Sequence, residues 1–242
     1  MKGFQGKVAV ITGASGGIGE AIAIQLAREG TRLVLSGRNG EALGLVAERA
    51  RDLTPTVETF AADLAEDEQV RALAGRALAA FGGVDILIHS IGLFLGGSLA
   101  TSPVEDLDRQ HRINVHVPYL LTQTLLPSIL SRQGQVVFVN SGSGFKPASA
   151  GWIGYAASKH ALRAVADGLR EEVDKQGVRV LTVFPGRTAT AMQEEVHRFE
   201  GRSYDPERFL QPGEVAAAVL SALSLPRTAE VTDLHIRPIR RV

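Results

Sequence analysis

The chain has 242 residues, is 45% hydrophobic and 21% charged, and balances 26 Lys plus Arg against 26 Asp plus Glu. Such a chain can bury a sizeable core, and its zero net charge gives no electrostatic reason to expect a nucleic acid or an anionic membrane as partner. It has no cysteine, which excludes disulfides, thiolate metal sites and a thiol nucleophile.

Short apolar runs alternate with longer helical patterns. The sequence predicts a strand over 8–11, a helix over 17–28, a strand over 32–35 and a helix over 41–51. A third strand follows over 57–61, a helix over 66–80, a fourth strand over 84–88 and a long helical region over 103–132. The fifth strand is expected over 135–139, then a helix carrying Tyr155 to about 175, and a sixth strand over 178–184. A short helix over 213–223 precedes a last strand near 231–236. Strands that are apolar throughout are buried on both faces, as in parallel sheets. Their alternation with helices predicts a single α/β domain over 1–242, doubly wound around a mainly parallel, seven-stranded sheet. Residues 189–212 interrupt the pattern. They are polar, contain Gly201 and Pro206, and are read as a mobile substrate flap.

No run of about 18 apolar residues could span a bilayer. Residues 1–7 carry no apolar signal segment, and a cytoplasmic location is expected. The six histidines show no H-x-x-x-H spacing, so no metal site is expected.

The stretch Thr12-Gly13-Ala14-Ser15-Gly16-Gly17-Ile18-Gly19 follows the first strand and opens the first helix. Three glycines at one spacing are weak alone; between a first strand and a first helix they suit a pyrophosphate, which takes free N–H groups and the positive end of the helix. At the end of the second strand, Ser36-Gly37-Arg38-Asn39 offers no carboxylate for a ribose 2′-hydroxyl. Arg38 is a fixed cation suited to a 2′-phosphate, so NADP(H) is preferred, with NAD(H) as the alternative.

Tyr155 and Lys159 stand four residues apart in Gly154-Tyr155-Ala156-Ala157-Ser158-Lys159. On a helix they share a face. An ammonium there is expected to lower the phenol's pKa from about 10, making the pair a proton donor and acceptor for a carbonyl/alcohol couple.

With T-G-x-x-x-G-x-G and Y-x-x-x-K both in place, the chain resembles the short-chain dehydrogenase/reductase family in its short, single-domain branch, from Lys7 to about Pro238. The resemblance implies a Rossmann-type oxidoreductase. It implies that Asp63, beside Leu64, holds the adenine, that Asn114 completes the catalytic set, and that Pro185-Gly186-Arg187-Thr188-Ala189-Thr190 cradles the nicotinamide. It further implies that Ser141 steadies the carbonyl, that Tyr155 exchanges the proton, and that Lys159 both tunes Tyr155 and binds the ribose. Ser141 is chosen over Ser143 because Ser141-x-x-Gly144 ends the fifth strand in register, although it stands 14 rather than 13 residues before Tyr155. The family's N-N-A-G is replaced by His89-Ser90-Ile91-Gly92. Gly92 still permits close backbone approach, Ser90 and Ile91 become the candidate cofactor contacts, and His89 is read as a structural hydrogen-bonder.

Leu93, Phe94, Phe145, Trp152 and Met192 are candidate apolar pocket walls, which points to a hydrophobic aldehyde, ketone or secondary alcohol. Arg187 or Arg198 could instead receive an acidic substrate. An NAD-dependent alcohol oxidiser, or a sensor without catalysis, are the alternatives. The resemblance also implies a homotetramer or homodimer paired through the two helices bearing Asn114 and Tyr155. Leu120, Leu121, Leu125, Leu162, Val165 and Leu169 are the candidate outer apolar positions.

Overall fold

A computed structural model describes residues 3–54 and 56–239. Its seven strands are β1 Val8–Thr12, β2 Arg32–Gly37, β3 Val57–Ala61, β4 Ile86–His89, β5 Gln135–Val139, β6 Arg179–Pro185 and β7 Asp233–Ile236. They form one sheet in the order β3-β2-β1-β4-β5-β6-β7, and every pair is parallel. The strand periodicity divides the core into two. In β1, Ala9 and Ile11 face one cluster and Val10 the other. Helices α1 Gly17–Arg28, α2 Gly40–Arg51 and α8 Pro212–Leu223 cover the first face. Helices α3 Asp67–Phe81, α5 Val117–Ser131 and α6 Ile153–Val173 cover the second.

The fourth strand begins at Ile86, two residues later than its apolar run suggests. Asp85 stands just before it, its backbone N–H already donating to Val8 O at 2.9 Å and its carbonyl accepting from Gln135 N at 2.8 Å. Its carboxylate accepts from Val8 N at 2.9 Å, Lys7 Nζ at 3.0 Å and Arg132 Nη1 at 3.2 Å. Burial opposes this charge, but the Val8 N–H and the two cations outweigh it and hold the carboxyl below its usual range.

The expected long helix over 103–132 is three pieces: α4 Val104–His111, a π-helical turn Arg112–His116, and α5. Pro118 supplies the reason. It has no N–H to donate to the carbonyl of Asn114, four residues back, and its ring would collide with that carbonyl. Widening the turn removes the conflict, and Val117 N bonds Arg112 O instead. The interrupted segment 189–212 also holds order of its own, α7 Ala191–Phe199 and a short 3₁₀ turn Pro206–Arg208.

Candidate active site

Strand order reverses between β1 and β4, and there the C-terminal ends of the strands open into a crevice. Gly13 leaves β1 at φ +68°, and a Cβ on it would lie 2.6 Å from the Ser90 carbonyl oxygen. A Cβ on Gly19 would meet the Gly13 carbonyl. The loop is thus closed tightly by backbone alone. Gly16 caps α1 without any side-chain hydrogen bond, leaving the first-turn N–H groups facing outward. These are donors suited to a pyrophosphate.

The crevice continues as a cleft of about 680 Å³. Ser15, Gly16, Gly17 and Ile18 line its phosphate end, with Arg38 beside them and Leu64 forming part of the wall. Arg38 is exposed and makes no ion pair among the described residues. Asp63 stands just outside, its carboxylate accepting from Ala65 N at 3.0 Å. Ser90, Ile91 and Gly92 line the middle. Pro185, Gly186, Thr188 and Thr190 form the opposite side, where Thr190 Oγ1 caps α7 by accepting from Gln193 N at 3.2 Å. These donors, the uncapped helix and the cation at one end fit a dinucleotide phosphate.

The deeper half of the cleft holds Ser141, Tyr155 and Lys159 together. Lys159 is buried, and its Nζ donates to Val139 O at 3.2 Å and lies 5.8 Å from the Tyr155 ring centroid. The Ser141 hydroxyl acts on the Tyr155 phenol, drawing its pKa down. Ser141 Oγ also accepts from Ser143 N at 3.2 Å, and both serines line the cleft. Asn114 is fully buried in the π turn. Its side chain is fixed by Leu93 N at 2.7 Å, Leu93 O at 2.9 Å and Ser158 Oγ at 2.9 Å.

Two neighbours of this set escaped the sequence reading. Ser158 donates to Tyr155 O at 2.8 Å, and so links Asn114 to the tyrosine backbone. Asn140 holds Lys159 O through Nδ2 at 3.0 Å and Ser141 N through Oδ1 at 2.8 Å. A Cβ on Gly144 would strike Asn140, so the Ser-x-x-Gly spacing serves this contact. An Asn directly before the serine was the available signal.

The expected lowering of the Tyr155 pKa is not what the protein alone produces. Burial pushes Tyr155 up to about 12, and the bond from Ser141 only partly opposes it. Burial likewise draws Lys159 down to about 8. The phenol is therefore neutral and the amine mostly charged near pH 7. His89 is held neutral, its pKa drawn to about 3 by burial. It stacks on Phe138 at 5.0 Å and pairs through Nε2 with Thr122 at 2.8 Å, away from the cleft.

Of the candidate apolar walls, Phe94, Trp152 and Met192 line the cleft. Phe145 does not; it packs against Phe184 and His235 at 5.2 and 4.6 Å. Leu93 contributes its backbone to Asn114 and does not line the cleft. Arg187 lines the cleft with its Nη2 paired to Glu200 at 2.6 Å, and Arg198 is exposed beside Glu194 at 3.8 Å. The supposed outer positions Leu120, Leu121, Leu125 and Leu162 are buried in the chain's own core, with Val165 and Leu169 packed against it.

Residues 7–201, most of the chain, match the short chain dehydrogenase family. The chain belongs to the short-chain dehydrogenase family. A Staphylococcus saprophyticus protein named an uncharacterised oxidoreductase is 34% identical over 99% of this chain and all of its own length. An alcohol dehydrogenase from the archaeon Thermococcus sibiricus, solved with 5-hydroxy-NADP, superposes with TM-score 0.87 at 29% identity, covering 98% of this chain and 99% of its own. A metagenomic short-chain oxidoreductase in complex with NADP gives TM-score 0.84 at 30% identity with the same coverage. The protein is an oxidoreductase of this family, with a nicotinamide dinucleotide cofactor. No helix among the described residues is long and apolar enough to cross a membrane, and they contain no cluster of His, Asp and Glu able to hold a metal ion.

Proposed function

We propose that the protein reduces hydrophobic ketones or aldehydes to alcohols, using NADPH. The convergence of Ser141, Tyr155 and Lys159 beneath an aromatic wall carries this reading. When bound, the dinucleotide supplies the hydride. Its phosphates would lie against Gly13 to Gly19, with Leu64, Ser90, Ile91 and Gly92 along its length and the segment from Pro185 to Thr190 at the far end. Asp63 would be placed near the adenine.

Tyr155 Oη gives its proton to the carbonyl oxygen as that oxygen gains charge. A pKa near 12 keeps this proton in place throughout the neutral range, the state that reduction needs. Ser141 Oγ donates to the same oxygen and holds it beside the phenol. Lys159, charged below about pH 8, favours the phenolate left behind and would also bind the ribose. Asn114 fixes the backbone of Leu93 and, through Ser158, that of Tyr155. Fluorescence titration with NADPH and NADH, followed by turnover of a ketone panel, tests the reading; no turnover of any carbonyl with either cofactor overturns it.

The NADP(H) preference rests on Arg38, exposed at the cleft and without an ion pair among the described residues, and on the NADP-type cofactors of the two structural relatives. Arg38→Asp is expected to reverse the preference. It removes the cation facing a 2′-phosphate and installs an acceptor for a ribose hydroxyl. The loss for NADPH should be about 2–5 kcal/mol, as when one partner of a charged, hydrogen-bonded contact is cut. A wild-type enzyme that already prefers NADH would contradict the role of Arg38.

A homotetramer or homodimer is the proposed assembly. Leu107, Tyr119 and Ile153 stay exposed on α4, α5 and α6, which supports pairing through these helices. Light scattering at micromolar concentration is expected to exceed the 25.7 kDa of one chain; a single species of that mass defeats the proposal.

A further inference from the structure

The segment read as a flap closes the substrate half of the cleft with one face of α7. Met192, Val196 and Phe199 recur at helical spacing, and the first two line the cleft beside Phe94 and Trp152. Phe199, the last residue of α7, projects past them. Its ring meets Phe94 edge-on at 5.8 Å, and Phe94 in turn meets Tyr155 at 5.4 Å and Trp152 at 4.7 Å.

The ring sits in a notch that only glycine permits. A Cβ on Gly96 would lie 2.7 Å from the Phe199 ring, and one on Gly151 would lie 2.9 Å from it. Gly97 N donates to Gly151 O at 2.9 Å, so the two loops that form the notch are themselves joined. One loop follows β4 and carries Phe94. The other precedes α6 and leads to Trp152 and Tyr155. Directly after the ring, Glu200 pairs with Arg187 at 2.6 Å, tying the end of α7 back to the end of β6. Phe199 is nevertheless 44% exposed, so its burial is not what fills the core.

We propose that Phe199 is a specificity-determining clamp. Seated between Gly96 and Gly151, it holds the apolar face of α7 against Phe94, and so restricts the enzyme to compact apolar carbonyl compounds such as aryl methyl ketones. This rests on the carbonyl-reductase reading above. Phe199 acts through Phe94 and the position of α7, and is a positioning residue that touches no reacting atom.

The test compares acetophenone with the bulkier benzophenone in wild type, Phe199→Ala, Phe199→Leu, Gly96→Ala and the double variant Gly96→Ala/Phe199→Ala. Phe199→Ala is expected to raise the benzophenone to acetophenone ratio of kcat/KM at least tenfold. It should raise KM for acetophenone while leaving the Kd of NADPH within twofold. Gly96→Ala should do the same by expelling the ring, and should add nothing once the ring is gone. Phe199→Leu should restore part of the wild-type ratio. Amides of α7 should exchange hydrogen at least tenfold faster in Phe199→Ala and Gly96→Ala.

A size ratio within twofold of wild type in Phe199→Ala, or an undiminished Gly96→Ala effect in the double variant, overturns the clamp. So does unchanged exchange in α7. If wild type reduces neither ketone, the carbonyl-reductase reading is decided separately, by the wider ketone panel with both cofactors. The clamp is then decided by α7 exchange together with the affinities of the same two ketones, read from the fluorescence of Trp152, the chain's one tryptophan.

Discussion

Tyr155→Phe is expected to lower kcat for carbonyl reduction by about 10²- to 10⁴-fold, the range for loss of a positioned general acid. The ring that packs on Phe94 and Trp152 is kept, and only the hydroxyl is removed. That hydroxyl interacts with Ser141, and even a full hydrogen bond there would be worth only about 1 kcal/mol of stability, too little to unfold the chain. The Kd for NADPH should therefore stay near that of wild type. This split separates a proton donor from a residue that merely shapes the cofactor pocket. Ser141→Ala should also slow turnover, by about 10²- to 10³-fold if the serine steadies the developing oxyanion. It removes a contact that draws the Tyr155 pKa down, so the limiting acid in its pH profile should move further up. Steady-state kinetics with one ketone suffices. Turnover of Tyr155→Phe within threefold of wild type would end the assignment of Tyr155 as the acid.

The parts that were legible in the sequence are those encoded by local spacing. Gly13, Gly17 and Gly19 lie where one strand ends and one helix begins, and Tyr155 and Lys159 lie one helical turn apart. Neighbouring residues settle both. The sheet was legible because its strands are apolar on both faces, which a parallel sheet requires. What failed depended on partners distant in the chain. A run of leucines on α5 and α6 shows a broad apolar surface, yet spacing does not say which part of it meets the sheet, and Leu120 and Leu162 proved to be inside. Phe94 and Phe145 look alike as candidate walls, and only the packing sends one to Tyr155 and the other to Phe184. The π turn had a readable cause, since Pro118 stands four residues after Asn114, but a helical pattern continues across it unbroken. In the protein alone burial carries the Tyr155 pKa upward; a neighbouring ammonium can be inferred from sequence, whereas the depth of burial cannot.

Lys159→Met is expected to make the folded chain more stable and the enzyme much worse. Lys159 is buried, and among the described residues its Nζ has a single acceptor, Val139 O at 3.2 Å. Desolvation draws its pKa from 10.5 to about 8. Below pH 8 both folded and unfolded chains carry the ammonium, and the folded chain bears the full cost of burying it. Between pH 8 and 10.5 the folded chain has released this proton while the unfolded chain keeps it. The unfolded state then binds more protons, so wild-type stability rises with pH across this window, by up to about 1.4 kcal/mol per unit. The rise should amount to roughly 2–3 kcal/mol between pH 8 and 10. Above pH 10 the unfolded chain begins to ionise its tyrosines while buried Tyr155 holds its proton to about 12, which reverses the slope. In Lys159→Met the rise should vanish, and the variant should exceed wild type at pH 7 by about 3 kcal/mol. Turnover should nevertheless fall at least 10²-fold, because the phenolate left by proton transfer loses its cation. NADPH should also bind more weakly through the lost ribose contact. A stabilising change that abolishes activity is what a buried charge kept for chemistry implies. Urea unfolding of both proteins at pH 7, 8, 9 and 10 reads the first effect, and NADPH titration with ketone turnover reads the second. A flat wild-type profile would show that Lys159 is solvated in the folded chain, and turnover kept within threefold would show that Tyr155 works without it.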